Sequence, residues 1–155
     1  MNRSILVTSF AAFFVGAVVF CAEAPPAAKQ EDASVEIRRV LQAQQEAWNR
    51  GDIEGFMNGY ARLDSIVFVS GDDLTRGWQT VRDRYKAKYS NREKMGTLTF
   101  SDLELPLVSS DLAVVVGRWK LDRKQDQPHG RFSLIFRQTT DGWRIVHDHT
   151  STAEK

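Results

Sequence analysis

Residues 130–151 read GRFSLIFRQTTDGWRIVHDHTS. Phe132, Leu134 and Phe136 recur at every second position, the period of a strand packed against a core on one side. Asp141-Gly142 is a strong hairpin signal, and Trp143, Ile145, His147 and His149 alternate beyond it. Side chains at i and i+2 of a strand share a face. The spacing therefore puts both histidines on the face of Trp143 and Ile145, and a tight turn brings that face into line with Phe132, Leu134 and Phe136. Two imidazoles on an otherwise apolar face read either as the wall of a pocket or as a hydrogen-bonded pair within the core.

The chain upstream of this hairpin also reads as strand, back to Met95. Leu112 to Leu121 is a long strand whose unbroken apolar start implies burial on both faces. Asp122 to Pro128 is a polar loop. In Thr97 to Leu105, Leu98 and Phe100 fall on one parity while Leu103 and Leu105 fall on the other. One extra residue near Ser101-Asp102 returns all four to one face, and a β-bulge does this while bending the strand. A curved sheet is expected.

Before the strands lie three helices. Ile37, Val40, Leu41, Gln44 and Trp48 keep helical spacing, with Asp32 or Ser34 as N-cap and Gly51 as the stop. Asp52 caps a short second helix carrying Ile53, Phe56, Met57 and Tyr60. Ile66 to Val69 is a short β-branched run closed by Ser70-Gly71-Asp72-Asp73. Trp78, Val81, Tyr85 and Tyr89 mark a third helix, and the basic run Arg82 to Lys88 reads as its solvated face. The whole is an α+β domain, three N-terminal helices packed on a curved, mainly antiparallel sheet. A curved sheet over helices is a cone with a cavity at its open end.

The extreme N-terminus has the layout of a secretory signal peptide. Arg3 is followed by the apolar run Ile5 to Phe20 and then by Ala22-Glu23-Ala24. The division read from the chain is a signal peptide at 1–24, a Pro/Ala linker at 25–33 and one domain at 34–155, exported to the periplasm or secreted, with no membrane span in the mature chain. Cys21 raises the alternative of a lipid anchor, whose motif asks for a small residue where Phe20 stands. It is the one cysteine, so the folded domain has no disulfide. Loss of Arg3 and Glu23 leaves the net charge at +1, a balance that argues against nucleic acid or an anionic membrane as the main partner.

As a set, Ala47-Trp48-Asn49-Arg50-Gly51-Asp52, Gly117-Arg118-Trp119, and the run from Gly130 to Ser151 resemble the nuclear transport factor 2-like superfamily. Within it the chain is similar to exported SnoaL-like domains and the association domain of calmodulin-dependent protein kinase II. The resemblance spans about Val35 to Ser151. It implies a cone-shaped fold, usually a homodimer through the sheet, with a pocket between sheet and helices. Members include isomerases, dehydratases, cyclases and epoxide hydrolases as well as domains without chemistry, so the fold alone does not name the function. A ketosteroid isomerase pattern needs a carboxylate base facing a tyrosine and a protonated acid. Tyr60 and Asp64 fall in the right region, Asp64 reading first as a turn residue, and a second acid is lacking among the apolar positions.

Five residues carry the expected site. His147 and His149 offer an acid/base pair or ligand hydrogen bonds, against the alternatives of a structural pair or two ligands of a zinc site for which His129 is badly placed. Arg118 either reaches the pocket to meet an anion or faces solvent or a second copy. Trp48 and Tyr60 face the sheet from the helices, as core or as ligand contacts. No phosphate loop or activated nucleophile is present in the sequence, and neither a cofactor nor a metal is expected. The preferred reading is an exported domain that binds a small, partly apolar molecule, neutral or anionic, and forms a homodimer. The alternative is an isomerase, dehydratase or hydrolase using His147 or His149 as acid/base.

Overall fold

The structure is a computed structural model that describes residues 27–153. The expected signal peptide at 1–24, and Cys21 with it, lie outside the described residues. The elements are α1 (Ala27–Asn49), α2 (Ile53–Met57), β1 (Val67–Ser70), β2 (Asp73–Arg76), α3 (Trp78–Lys88), α4 (Arg92–Met95), β3 (Thr97–Val108), β4 (Leu112–Asp122), β5 (His129–Thr139) and β6 (Gly142–Thr150). The strands form one open sheet in the order β2-β1-β6-β5-β4-β3, antiparallel except where β1 runs parallel to β6.

α1 buries Ile37, Leu41, Gln44 and Trp48 along one stripe, the spacing the sequence shows. Its stop is a Schellman turn: Gly51 at φ +86° donates its N–H to Trp48 O at 2.8 Å, and Asp52 N donates to Ala47 O at 2.9 Å. Asp52 then accepts from Gly55 N at 2.7 Å as the N-cap of α2. One six-residue stretch thus ends one helix and starts the next. The expected linker at 25–33 is corrected, because residues 27–33 form the opening of α1. Ala27, Ala28, Lys29, Gln30 and Glu31 are all strong helix formers, and Ser34 is no cap but donates its hydroxyl back to Gln30 O at 3.0 Å.

The core lies between the helices and the inner face of the sheet, with Phe136, Ile145, Val115 and Ile66 buried opposite Ile37, Leu41, Met57 and Val81. β3 is an edge strand whose backbone is capped by α1. Asn49 exchanges two hydrogen bonds with the Leu98 backbone, at 2.7 and 3.0 Å, and Gln45 accepts from Phe100 N at 2.6 Å. The expected bulge is present: the β3–β4 register shifts after Ser101 and Asp102 takes φ +51°.

Three features differ from expectation. β2 has no counterpart in the sequence reading beyond Asp73, because Asp73-Leu-Thr-Arg carries a single apolar residue at an exposed sheet edge. The single turn α4, capped by Asn91 accepting from Lys94 N at 2.9 Å, has no periodicity to announce it. β4 buries Ala113 and Val115 fully but leaves Val114 and Val116 half-buried on the outer face, rather than burying both faces alike.

A second bulge decides where the site residues go. In the β5–β6 pair, Phe136 lies opposite Ile145 while the adjoining Ile135 lies opposite His147, leaving Val146 as the extra residue. Up to the bulge, β6 is flanked on its other edge by residues 59–61: Ile145 N donates to Gly59 O and Ala61 N to Ile145 O, each at 2.9 Å. Beyond it, β1 takes that edge, with Val67 opposite His147 and Val69 opposite His149. The bulge marks the change of neighbour and inverts the parity of everything after it. The expectation that His147 and His149 share the face of Trp143 and Ile145 is therefore overturned. Asp148 and Thr150 turn inward instead.

Candidate functional site

Between the helices and the curved sheet lies a cavity of about 100 Å³. Aromatic rings from both layers line it. Trp48 of α1 packs edge-on against Phe56 at 5.1 Å and Tyr89 at 4.7 Å between ring centres, and Tyr85 of α3 lies 5.1 Å from Phe56 and 5.7 Å from Phe68. From the sheet, Phe100 and Phe132 meet edge-to-face at 5.5 Å. Gly117 makes room for that contact, since a side chain there would run into the Phe132 ring and Leu103.

At the inner end of this apolar wall sits a carboxylate. Asp148 is 4% exposed. Its Oδ2 accepts the Tyr60 hydroxyl at 2.6 Å and its Oδ1 accepts the Thr150 hydroxyl at 2.7 Å. Burial raises the Asp148 carboxyl above the ordinary aspartate range; the two hydrogen bonds, and more weakly the charge of His147 and His149, pull the other way. Burial likewise pushes the hydroxyl of Tyr60 well up, and Asp148 and Tyr85 add to that rise. Tyr60 thus stays a proton donor while Asp148 can hold or release a proton without leaving a hydrophobic site. A carboxyl group in that condition can hydrogen-bond a ligand in either state or move a proton to and from it.

Of the five expected site residues, the fold brings Trp48 and Tyr60 to the cavity. His147 and His149 point to the outer face of the sheet, half-buried and exposed respectively, because the Val146 bulge turns them there. Arg118 is also on the outer face, its Nε 3.2 Å from Asp102 Oδ2, while its neighbour Trp119 lines the cavity and donates Nε1–H to Ser151 O at 2.9 Å. Among the described residues no three His, Cys, Asp or Glu side chains come together as a metal site would require. The basic run on α3 is corrected too, because Arg84 and Lys88 border the cavity rather than forming a purely solvated face. Asp148 had no signal in the sequence, since a lone acid between two histidines on a strand reads as the solvent side of an alternating pattern.

A SnoaL-like domain model matches residues 37–154. A nuclear transport factor 2-like protein of unknown function from Shewanella oneidensis MR-1 is 37% identical, over 78% of this chain and 98% of that one, with a TM-score of 0.71. A nuclear transport factor 2-like superfamily protein from Salmonella enterica serovar Typhimurium LT2 superposes with a TM-score of 0.63 at 19% identity, covering 81% and 94% of the two chains. A Xanthomonas campestris protein provisionally described as a calcium/calmodulin-dependent protein kinase II association domain gives 0.62 at 14% identity, covering 77% and 87%. The two distant matches bear on the fold alone. No curated protein matches the chain.

Proposed function

This chain belongs to the SnoaL-like domain family, and from that premise we propose that it binds a small, partly apolar molecule in the cavity between sheet and helices. The observation that carries the reading is the pairing of an aromatic wall with one buried, hydrogen-bonded carboxyl at its inner end. Binding sites for small molecules are concave, mostly apolar and furnished with a few converging polar groups. Trp48 and Tyr60 are contacts in this proposal, and Asp148 takes the place first given to the histidines. Export through residues 1–24 and pairing of two copies through the outer sheet face belong to the same proposal. Native mass spectrometry of the protein as purified, followed by identification of any retained compound, tests it. Retention lost in Tyr60→Phe or Asp148→Asn while the fold is kept supports the reading; a compound held equally well by both variants overturns it.

A second reading is favoured by Asp148 specifically. A carboxylate with a raised pKa beside a neutral tyrosine can take a proton from the carbon next to a carbonyl and return it elsewhere on the same molecule, with Tyr60 fixing the carboxylate in place. In that case the retained compound exchanges its acidic C–H in heavy water on the wild-type protein and not on Asp148→Asn. Exchange that persists unchanged in the variant sinks the catalytic reading and leaves the binding one standing.

A further inference from the structure

The mouth of the cavity carries positive charge that the fold does not neutralise. α3 presents Arg84 and Lys88 one turn apart, beside Tyr85 and Tyr89, and all four border the cavity. Ser70, at the end of β1, and Thr150, at the end of β6, are opposite one another in register and border the same cavity. Arg84 is pinned: Nη1 donates to Thr75 Oγ1 at 2.9 Å, Nη2 to Asp73 Oδ2 at 3.2 Å, and its guanidinium carbon lies 5.2 Å from the centre of the Phe68 ring. Asp73 is a poor counter-ion, because its side chain is 75% exposed and water screens the pair.

Lys88 is less compensated still. Its ammonium lies 5.5 Å from the Tyr89 ring centre, and among the described residues it forms no ion pair. Arg123, the other cation that acts on it, already holds Asp126 with two hydrogen bonds of 2.6 and 2.8 Å. Burial first, then repulsion from Arg84 and Arg123, hold the Lys88 ammonium below the ordinary lysine range, with Asp73 opposing. Like charges kept together beside an apolar wall cost free energy that an anion between them returns.

We propose that Lys88 and Arg84 form an anion subsite at the mouth, and that the molecule taken by the cavity is a small carboxylate with a body of about one ring. This rests on the reading of the cavity as a small-molecule site. Charge selects the head group. The Arg84 fork is already engaged with Thr75 and Asp73, so the ammonium of Lys88 is the charge left to meet a ligand, and a single such charge suits a carboxylate rather than a phosphate carrying nearly two. Volume limits the body. A cavity of about 150 Å³ accommodates benzene, so one of about 100 Å³ encloses only part of a single ring and leaves the rest, with the charged end, in the mouth.

The test uses the tryptophan fluorescence of Trp48 and Trp119, both at the cavity, with benzoate and cyclohexanecarboxylate set against benzamide and cyclohexanecarboxamide. In low salt the acids are expected to bind about tenfold more tightly than the amides, an advantage that shrinks as salt is added. Lys88→Gln is expected to bring the acid-to-amide ratio close to one, and Lys88→Arg to preserve it; melting curves confirm that both variants fold. Equal binding of acids and amides by the wild type, or a preference that survives Lys88→Gln, overturns the anion subsite while the cavity reading stands. No response to any of the four compounds at millimolar concentration overturns both.

Discussion

Asp148 is where burial and chemistry compete most directly. Its folded carboxyl titrates above its unfolded value because burial outweighs the Tyr60 and Thr150 hydrogen bonds. Between those two values the folded protein holds more protons than the unfolded chain, so stability falls as pH rises through the window and levels off above it. Asp148→Asn abolishes that dependence. Urea unfolding across pH 4 to 8 is therefore expected to show the variant gaining on the wild type as pH rises, then running parallel to it; a constant difference would contradict the raised carboxyl. Tyr60→Phe removes a bond that favours the ionised form. It is expected to cost about 1–3 kcal/mol and to shift the same window upward. His149 is exposed on the opposite face, and His149→Ala is expected to change stability by no more than about 0.5 kcal/mol and to leave any retained ligand in place.

At the scale of elements, the two bulges show what a sequence can and cannot reveal. The bulge in β3 was legible because apolar residues stand on both sides of it: Leu98 and Phe100 before, Leu103 and Leu105 after, so a change of parity is visible. The bulge in β6 falls at Val146, and the residues it turns inward are Asp148 and Thr150. They are polar, so hydrophobic periodicity carries no trace of the inversion, and the more apolar-looking histidines draw the eye to the wrong parity. The helix stop at Gly51, the cap at Asp52 and the polar loop before β5 were legible for a local reason, since each depends on neighbours in sequence. The cations of α3 were not, because helical spacing cannot say whether the flank of a stripe meets solvent or the mouth of a cone. Gly130 shows how tightly the strand ends are fitted there. A methyl group on it would collide with the Ser151 carbonyl and crowd Trp119 Nε1 at 3.0 Å, the two groups that hydrogen-bond each other. Gly130→Ala is expected to cost about 1–3 kcal/mol and to shift Trp119 emission to the red. An unperturbed spectrum would mean that the C-terminal segment gives way without cost.

At the scale of the molecule, the sheet has two faces and the helices cover one. Val114, Val116 and Ile135 lie half-buried on the other, next to His147. Arg118 and Arg131 face each other across β4 and β5 on one side of this apolar band, and Arg137 pairs with Arg144 on the other. An apolar centre with a charged border is the anatomy of a surface made for association. A single face of this kind on a chain forms a twofold dimer most simply, because one patch then serves both partners. Ile135 stands at its middle, opposite Val114 on one side and His147 on the other. Light scattering at micromolar concentration is expected to give twice the mass of one chain, and Ile135→Glu, which forces a charge into the centre of the contact, is expected to give a single one. The cavity opens on the other face of the sheet, so the monomeric variant should bind any ligand as the wild type does. A wild type that scatters as a monomer, or an Ile135→Glu dimer of unchanged affinity, would show that this face is closed by something other than a second copy.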